Sequence, residues 1–136
     1  MKGDVFVDSG AWFALAQDRD QYHARAKEIY PRLLAESRRL LTTNLVVAEC
    51  HSLLLKFKGP SVALLFLETM SQSPRIEEIH STAETETKAL EILRRHQDQN
   101  FSLADAVSFT IMRQRGIKTA FAFDRHFAAA GFTLVP

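Results

Sequence analysis

The chain has 136 residues, 46% hydrophobic and 24% charged, which fits one globular domain burying about 68% of its unfolded surface and excludes a low-complexity chain. The 17 Lys and Arg against 16 Asp and Glu leave a net charge of +1, without the strongly basic balance of a dedicated duplex binder. A single cysteine, Cys50, excludes an intrachain disulfide, and no apolar run approaches the ~18 residues of a membrane span.

Asp4-Val5-Phe6-Val7 is β-branched and aromatic and predicts a first strand. Met1-Lys2-Gly3-Asp4 runs straight into it, without the apolar region of a signal peptide. With a lone thiol, this sets the expectation of a cytoplasmic protein without membrane attachment. A short helix is expected from Ala11 to Gln17, then a polar turn with Asp18 and Asp20, then a helix from Tyr22 that Pro31 kinks or breaks. Arg39 to Thr42 predicts a second strand. Asn44 is a good N-cap for a helix reaching Phe57. Gly59-Pro60 breaks that helix and starts the next, to Gln72. Ile76 to Ile79 is a third strand and Thr82 to His96 a charged amphipathic helix. Ser102 to Arg115 is a helix ended by Gly116, and Lys118 to Phe123 and Phe132 to Val135 are the last strands. Strands separated by helices imply crossovers, hence an α/β fold: a mostly parallel five-stranded sheet with helices on both faces and one domain over 1–136. In such sheets chemistry sits just past the carboxyl ends of strands, near a topological switch point.

Asp8 directly follows the first strand and Asp124 the fourth, so both project toward the same rim. Either alone reads as a turn or cap residue; two at equivalent places are more telling. Asp4 begins a strand, at the opposite rim. Glu49 lies three residues after Val46 and four before Leu53, which places it inside an apolar stripe. A carboxylate aimed at a core is costly unless paired or metal-bound. The alternatives are a stripe-edge Glu reaching water or a salt bridge to Lys56. Ser102-Leu103-Ala104-Asp105 has the capping-box spacing, so Asp105 reads as a cap. It also heads an apolar face with Phe109 and Met112, and can cap and ligate at once. Together the four acids form the all-oxygen constellation that Mg²⁺ or Mn²⁺ takes, as one ion or two, against a phosphodiester.

Four segments carry these acids in order: Val7-Asp8-Ser9-Gly10-Ala11-Trp12, Thr42 to Glu49, Phe101 to Phe109, and Ala122-Phe123-Asp124-Arg125-His126-Phe127. They resemble the four acidic motifs of the PIN-domain family, and the chain is most similar within it to the VapC-like toxins of bacterial toxin–antitoxin modules. The resemblance implies an α/β/α sandwich around a parallel sheet and Mg²⁺- or Mn²⁺-dependent cleavage of RNA. It also implies a homodimer and neutralisation by an antitoxin protein. Asp8, Glu49, Asp105 and Asp124 fall on the family's acidic positions, and Ser9 where a Ser or Thr supports the site. Gly10 departs from relatives that carry a hydroxyl there.

Arg125 is placed to meet phosphate bidentately, or is simply an exposed Arg. His126 reads as a loop residue, with proton transfer or substrate contact as the alternative. Cys50 reads as buried, and no His and Cys pair has zinc spacing. Trp12 and Phe13 read as core, with base stacking as the alternative. Val62 to Leu67 is apolar all round its helix, and Leu53 to Leu55 nearly so. With Trp12, these segments set the expectation of a homodimer or antitoxin interface, unless the helices bury one another. Two rival functions stand beside the nuclease. A non-enzymatic PIN-like binding module would keep the fold without the chemistry. An Asp-nucleophile phosphohydrolase would want an acid two residues after Asp8, where Gly10 stands.

Overall fold

A computed structural model describes residues 3–135; Met1 and Lys2, part of the N-terminal run read above, and Pro136 lie outside the described residues. Five strands form one sheet: β1 (Val5–Val7), β2 (Leu40–Thr43), β3 (Ile76–Ile79), β4 (Thr119–Phe121) and β5 (Thr133–Leu134). Their spatial order is β3-β2-β1-β4-β5 and every pair is parallel. Seven helices connect them: α1 (Ser9–Ala16), α2 (His23–Glu36), α3 (Asn44–Lys58), α4 (Pro60–Gln72), α5 (Ala83–Arg95), α6 (Leu103–Arg115) and α7 (His126–Ala129). The chain steps outward from β1 to β2 and β3, then returns to the far side of β1 for β4 and β5. Right-handed crossovers in opposite directions put helices on both faces, which gives the expected α/β/α layering. They also make the gap between the carboxyl ends of β1 and β4 the topological switch point.

Strands buried on both faces read as continuous apolar runs. Val5, Phe6, Val7, Leu40 and Leu41 are all at most 1% exposed. A buried polar chain fastens β1 to its neighbours. The Trp12 indole N–H donates to the Thr42 hydroxyl at 3.2 Å, and that hydroxyl donates to the Val7 carbonyl at 3.1 Å. The residue whose carbonyl is held is the one before Asp8.

Several local expectations change. α2 runs unbroken through Pro31. Pro31 lies on the exposed side, while Ala26, Ile29 and Leu33 are buried on the other, so packing holds the helix and water can meet the carbonyl Pro31 leaves unbonded. Thr43, not Asn44, caps α3: its side chain accepts from the Val46 N–H at 3.1 Å. The Asn44 side chain instead accepts from the Ser81 N–H at 2.8 Å, tying α3 to the loop after β3. Gly59 sits at φ +89° between α3 and α4, and Gly116 at φ +68° ends α6; both conformations favour glycine. β4 ends at Phe121, so Asp124 stands three residues beyond it, and α7 follows in a stretch where no helix was expected.

The apolar helices are only partly accounted for by one another. Trp12 is 3% exposed and belongs to the core, as do Leu54, Ala63 and Phe66. Leu55, Phe57, Leu64 and Leu65 remain exposed on α3 and α4, Leu65 at 63%.

Candidate active site

Asp8 occupies the N-cap position of α1 in extended conformation, with no side-chain cap bond, so its carboxylate is not spent on the helix. Its backbone N–H donates to the Phe121 carbonyl at 3.0 Å, fixing the ends of β1 and β4 side by side. Asp8 is 4% exposed. Burial and then the charge of Asp124 push its carboxyl from an ordinary 3.8 up to about 8. A hydrogen bond from the Ser9 backbone pulls the other way, and Asp105 and Glu49 add further repulsion. All three other acids named from sequence therefore lie close enough to act on Asp8.

Asp105 both caps and faces the cluster. It forms the full capping box with Ser102, each backbone N–H bonded to the other's side chain at 3.0 Å. His126 Nδ1 donates to the same Asp105 oxygen, Oδ2, at 2.9 Å. Oδ1 takes part in neither bond. Asp124 is exposed, and its Oδ1 accepts from the His126 backbone N–H at 2.9 Å, which starts α7. One ligand atom each from Asp105, Asp124 and His126 lies within 4.8 Å of the other two, a spacing that can surround a cation.

Glu49 differs from expectation. The buried stripe of α3 is Val46, Val47, Cys50 and Leu54, and Glu49 is exposed on its flank. It is not aimed into the core, nor is it paired with Lys56 in the structure. The Ser9 hydroxyl donates to Glu49 Oε1. Arg125 is exposed beside Asp124. Cys50 is fully buried, and burial, then Glu49 and Asp8, push its thiol up to about 12, which makes it inert.

The donor set fits a hard divalent cation. It consists of carboxylate oxygens of Asp105 and Asp124 and one nitrogen of His126; Asp8 and Glu49 are not part of that 4.8 Å group. Asp8 is buried beside it, and burial with the charges of Asp124, Asp105 and Glu49 opposes its ionisation, a cost that a bound cation would relieve. His126 is the member that sequence reasoning set aside. Its signal was the Asp-x-His spacing where a helix starts, which lets one residue bond Asp124 through its backbone and Asp105 through its ring.

Comparison with known proteins places these features. A family model described as PIN domain matches residues 5–133. The chain is 37% identical over 132 residues, 96% of its own length and 97% of the relative's, to the 23S rRNA-specific endonuclease VapC20 of Mycobacterium tuberculosis. The crystal structure of M. tuberculosis VapC20, described as a sarcin-ricin loop cleaving toxin, superposes with a TM-score of 0.85 at 38% identity, covering 95% of this chain and 96% of that one. VapBC2 from Rickettsia felis (TM-score 0.67, 13% identity, 97% of each chain) and FitAcB from Neisseria gonorrhoeae (TM-score 0.65, 16% identity, 97% and 96%) share the fold.

Proposed function

Because this chain belongs to the PIN-domain family, we propose that it is a metal-dependent endoribonuclease, the toxin of a toxin–antitoxin pair, with residues 1–136 acting as a single nuclease domain. The observation that carries this is the convergence of four acids, three of which repel the buried charge of Asp8. Asp8, Glu49, Asp105 and Asp124 would hold Mg²⁺ or Mn²⁺, one ion or two. A divalent ion supplies a more acidic water and neutralises phosphate charge. The chain's own residues do the positioning. Ser9 holds Glu49, and His126 with Ser102 holds Asp105 by one oxygen. Arg125 is placed to take a phosphate oxygen pair.

The substrate proposed is 23S rRNA at its sarcin–ricin loop, on the strength of 37% identity across nearly the whole length of a relative named for that RNA. A partner protein belongs to the same reading. A groove lined by Trp12, Leu15, Tyr30, Val62, Leu65 and Phe66 lies beside the exposed leucines of α4, an apolar surface suited to an antitoxin segment or a second copy. No helix among the described residues is long and apolar enough to cross a membrane.

The test is cleavage of a sarcin–ricin hairpin RNA, and of a single-stranded RNA, with Mn²⁺ and with chelator. Cuts that appear with Mn²⁺ and vanish with chelator are expected. A non-enzymatic binding module would leave every RNA intact in both.

A further inference from the structure

Beside the acidic cluster lies an aromatic surface that metal binding does not use. Tyr22 lies flat on Phe123, with ring centroids 4.5 Å apart and planes within 1° of parallel. Phe123 directly precedes Asp124 and is braced edge-on by Phe121 at 5.5 Å. The other aromatic pairs among the described residues are tilted or edge-to-face, at 31° or more. The parallel pair stands at the surface, where Tyr22 is 39% exposed.

Tyr22 is also held still. Its N–H donates to Asp20 Oδ2 at 2.9 Å, and its carbonyl accepts from the Ala26 N–H at 2.9 Å in the first turn of α2. Next to it, His23 Nδ1 meets the Ala14 carbonyl at 2.7 Å, pinning the start of α2 to α1. A ring stacked on Phe123 and carried by an anchored backbone has little freedom left to lose on binding a second flat ring.

We propose that Tyr22 is a base-stacking platform: an unpaired nucleobase of the RNA, next to the phosphate that faces the acidic cluster, stacks on the Tyr22 ring. This rests on the ribonuclease reading. Sequence-selective recognition of RNA works on bases splayed from loops and stacked on aromatic side chains. Phe123 and Asp124 are adjacent in sequence, so a nucleotide whose phosphate faces the acidic cluster would carry its base toward the Phe123–Tyr22 stack. The Ser9, Glu49, Asp105 and His126 side chains offer polar groups and hold phosphate chemistry; Tyr22 offers the π-face that a base requires. The contact is worth about tenfold in affinity, within the span seen for one base on one aromatic ring.

The test is kcat/KM on the sarcin–ricin hairpin with Mn²⁺, for the parent, Tyr22→Phe and Tyr22→Leu. Each hairpin in the series carries one abasic replacement in the loop. Tyr22→Leu should lower kcat/KM about tenfold, chiefly by raising KM, and Tyr22→Phe should restore it. One abasic position should cost the parent about tenfold and cost Tyr22→Leu nothing further. A 2-aminopurine at that position should be quenched when the parent binds, a readout that needs no variant to fold. Abasic penalties equal in parent and Tyr22→Leu, with no quenched position, overturn the platform and leave the nuclease standing. A parent that cleaves no RNA overturns both. If Tyr22→Leu resists an antitoxin peptide but cleaves like the parent, the ring serves a protein partner and the platform is wrong.

Discussion

His126 donates from Nδ1 to Oδ2 of Asp105 at 2.9 Å, across 21 residues of sequence, and its own backbone N–H is held by Asp124. One residue thus links the two acids and fixes which oxygen of Asp105 stays available. Loss of such an outer hydrogen bond typically costs a metal site 10- to 100-fold. His126→Ala should therefore weaken Mn²⁺ binding about tenfold in a calorimetric titration. His126→Asn, whose amide nitrogen stands near the Nδ1 position, should recover most of it; His126→Gln should not. Equal Mn²⁺ affinity in all four proteins contradicts the positioning role.

The Asp8 carboxyl gives a pH dependence with a definite sign. The folded protein keeps its proton up to about pH 8, whereas the unfolded chain releases it near 3.8. Between these values the folded state binds more protons, so stability of the chelated protein should fall as pH rises, and level off above about 8. The slope is of order 1 kcal/mol per pH unit inside the window. Urea midpoints at pH 5 and pH 8 with chelator measure it, and Asp8→Asn should flatten the difference. A parent that gains stability from pH 5 to pH 8, or an unchanged slope in Asp8→Asn, is the contrary result.

Asp105 carries both a cap and a share of the cluster, and Asp105→Asn separates them. Asn can still accept from the Ser102 N–H, so losing charge at the cap should cost only about 0.5 kcal/mol. Above about pH 8, where Asp8 is ionised, relief of repulsion offsets that, so there the chelated variant should unfold at or above the parental temperature. Mn²⁺ at 100 times its dissociation constant should stabilise the parent by about 2.7 kcal/mol and the variant by far less. Thermal unfolding with and without Mn²⁺ decides: full metal stabilisation in the variant makes Asp105 a cap alone.

The rim was legible in sequence because strand ends are. Asp8 and Asp124 follow apolar runs, and the parallel order then brings those runs together across β1 and β4. The capping box at Ser102 and Asp105 was legible because its two bonds are local. Glu49 falls outside the stripe phased from Val46 and Leu53 because packing buries Val46, Val47, Cys50 and Leu54 and leaves Leu53 only half-buried. Helical spacing tells which residues share a face; the neighbours decide where that face points. Of the two effects expected of Pro31, the break does not occur: the residue lies on the exposed side of α2, and the buried face carries the helix through it. The Asp-x-His spacing announces the bond of His126 to Asp124, but its ring contact with Asp105 and the Tyr22–Phe123 stack join distant segments, which no local pattern announces.

Asp8 is the buried acid of the cluster, and Asp124, Asp105 and Glu49 all oppose its ionisation. The most direct test of its metal-holding role is the rate of sarcin–ricin RNA cleavage against Mn²⁺ concentration, for the parent and for Asp8→Asn, which keeps the shape and removes the charge. The parent rate should rise to saturation with Mn²⁺ and fall to background with chelator. Asp8→Asn should stay folded yet cleave more than about 100-fold slower at saturating Mn²⁺, beyond what outer partners of a metal site cost. Parental cleavage by Asp8→Asn, or parental cleavage that ignores chelator, would contradict that role.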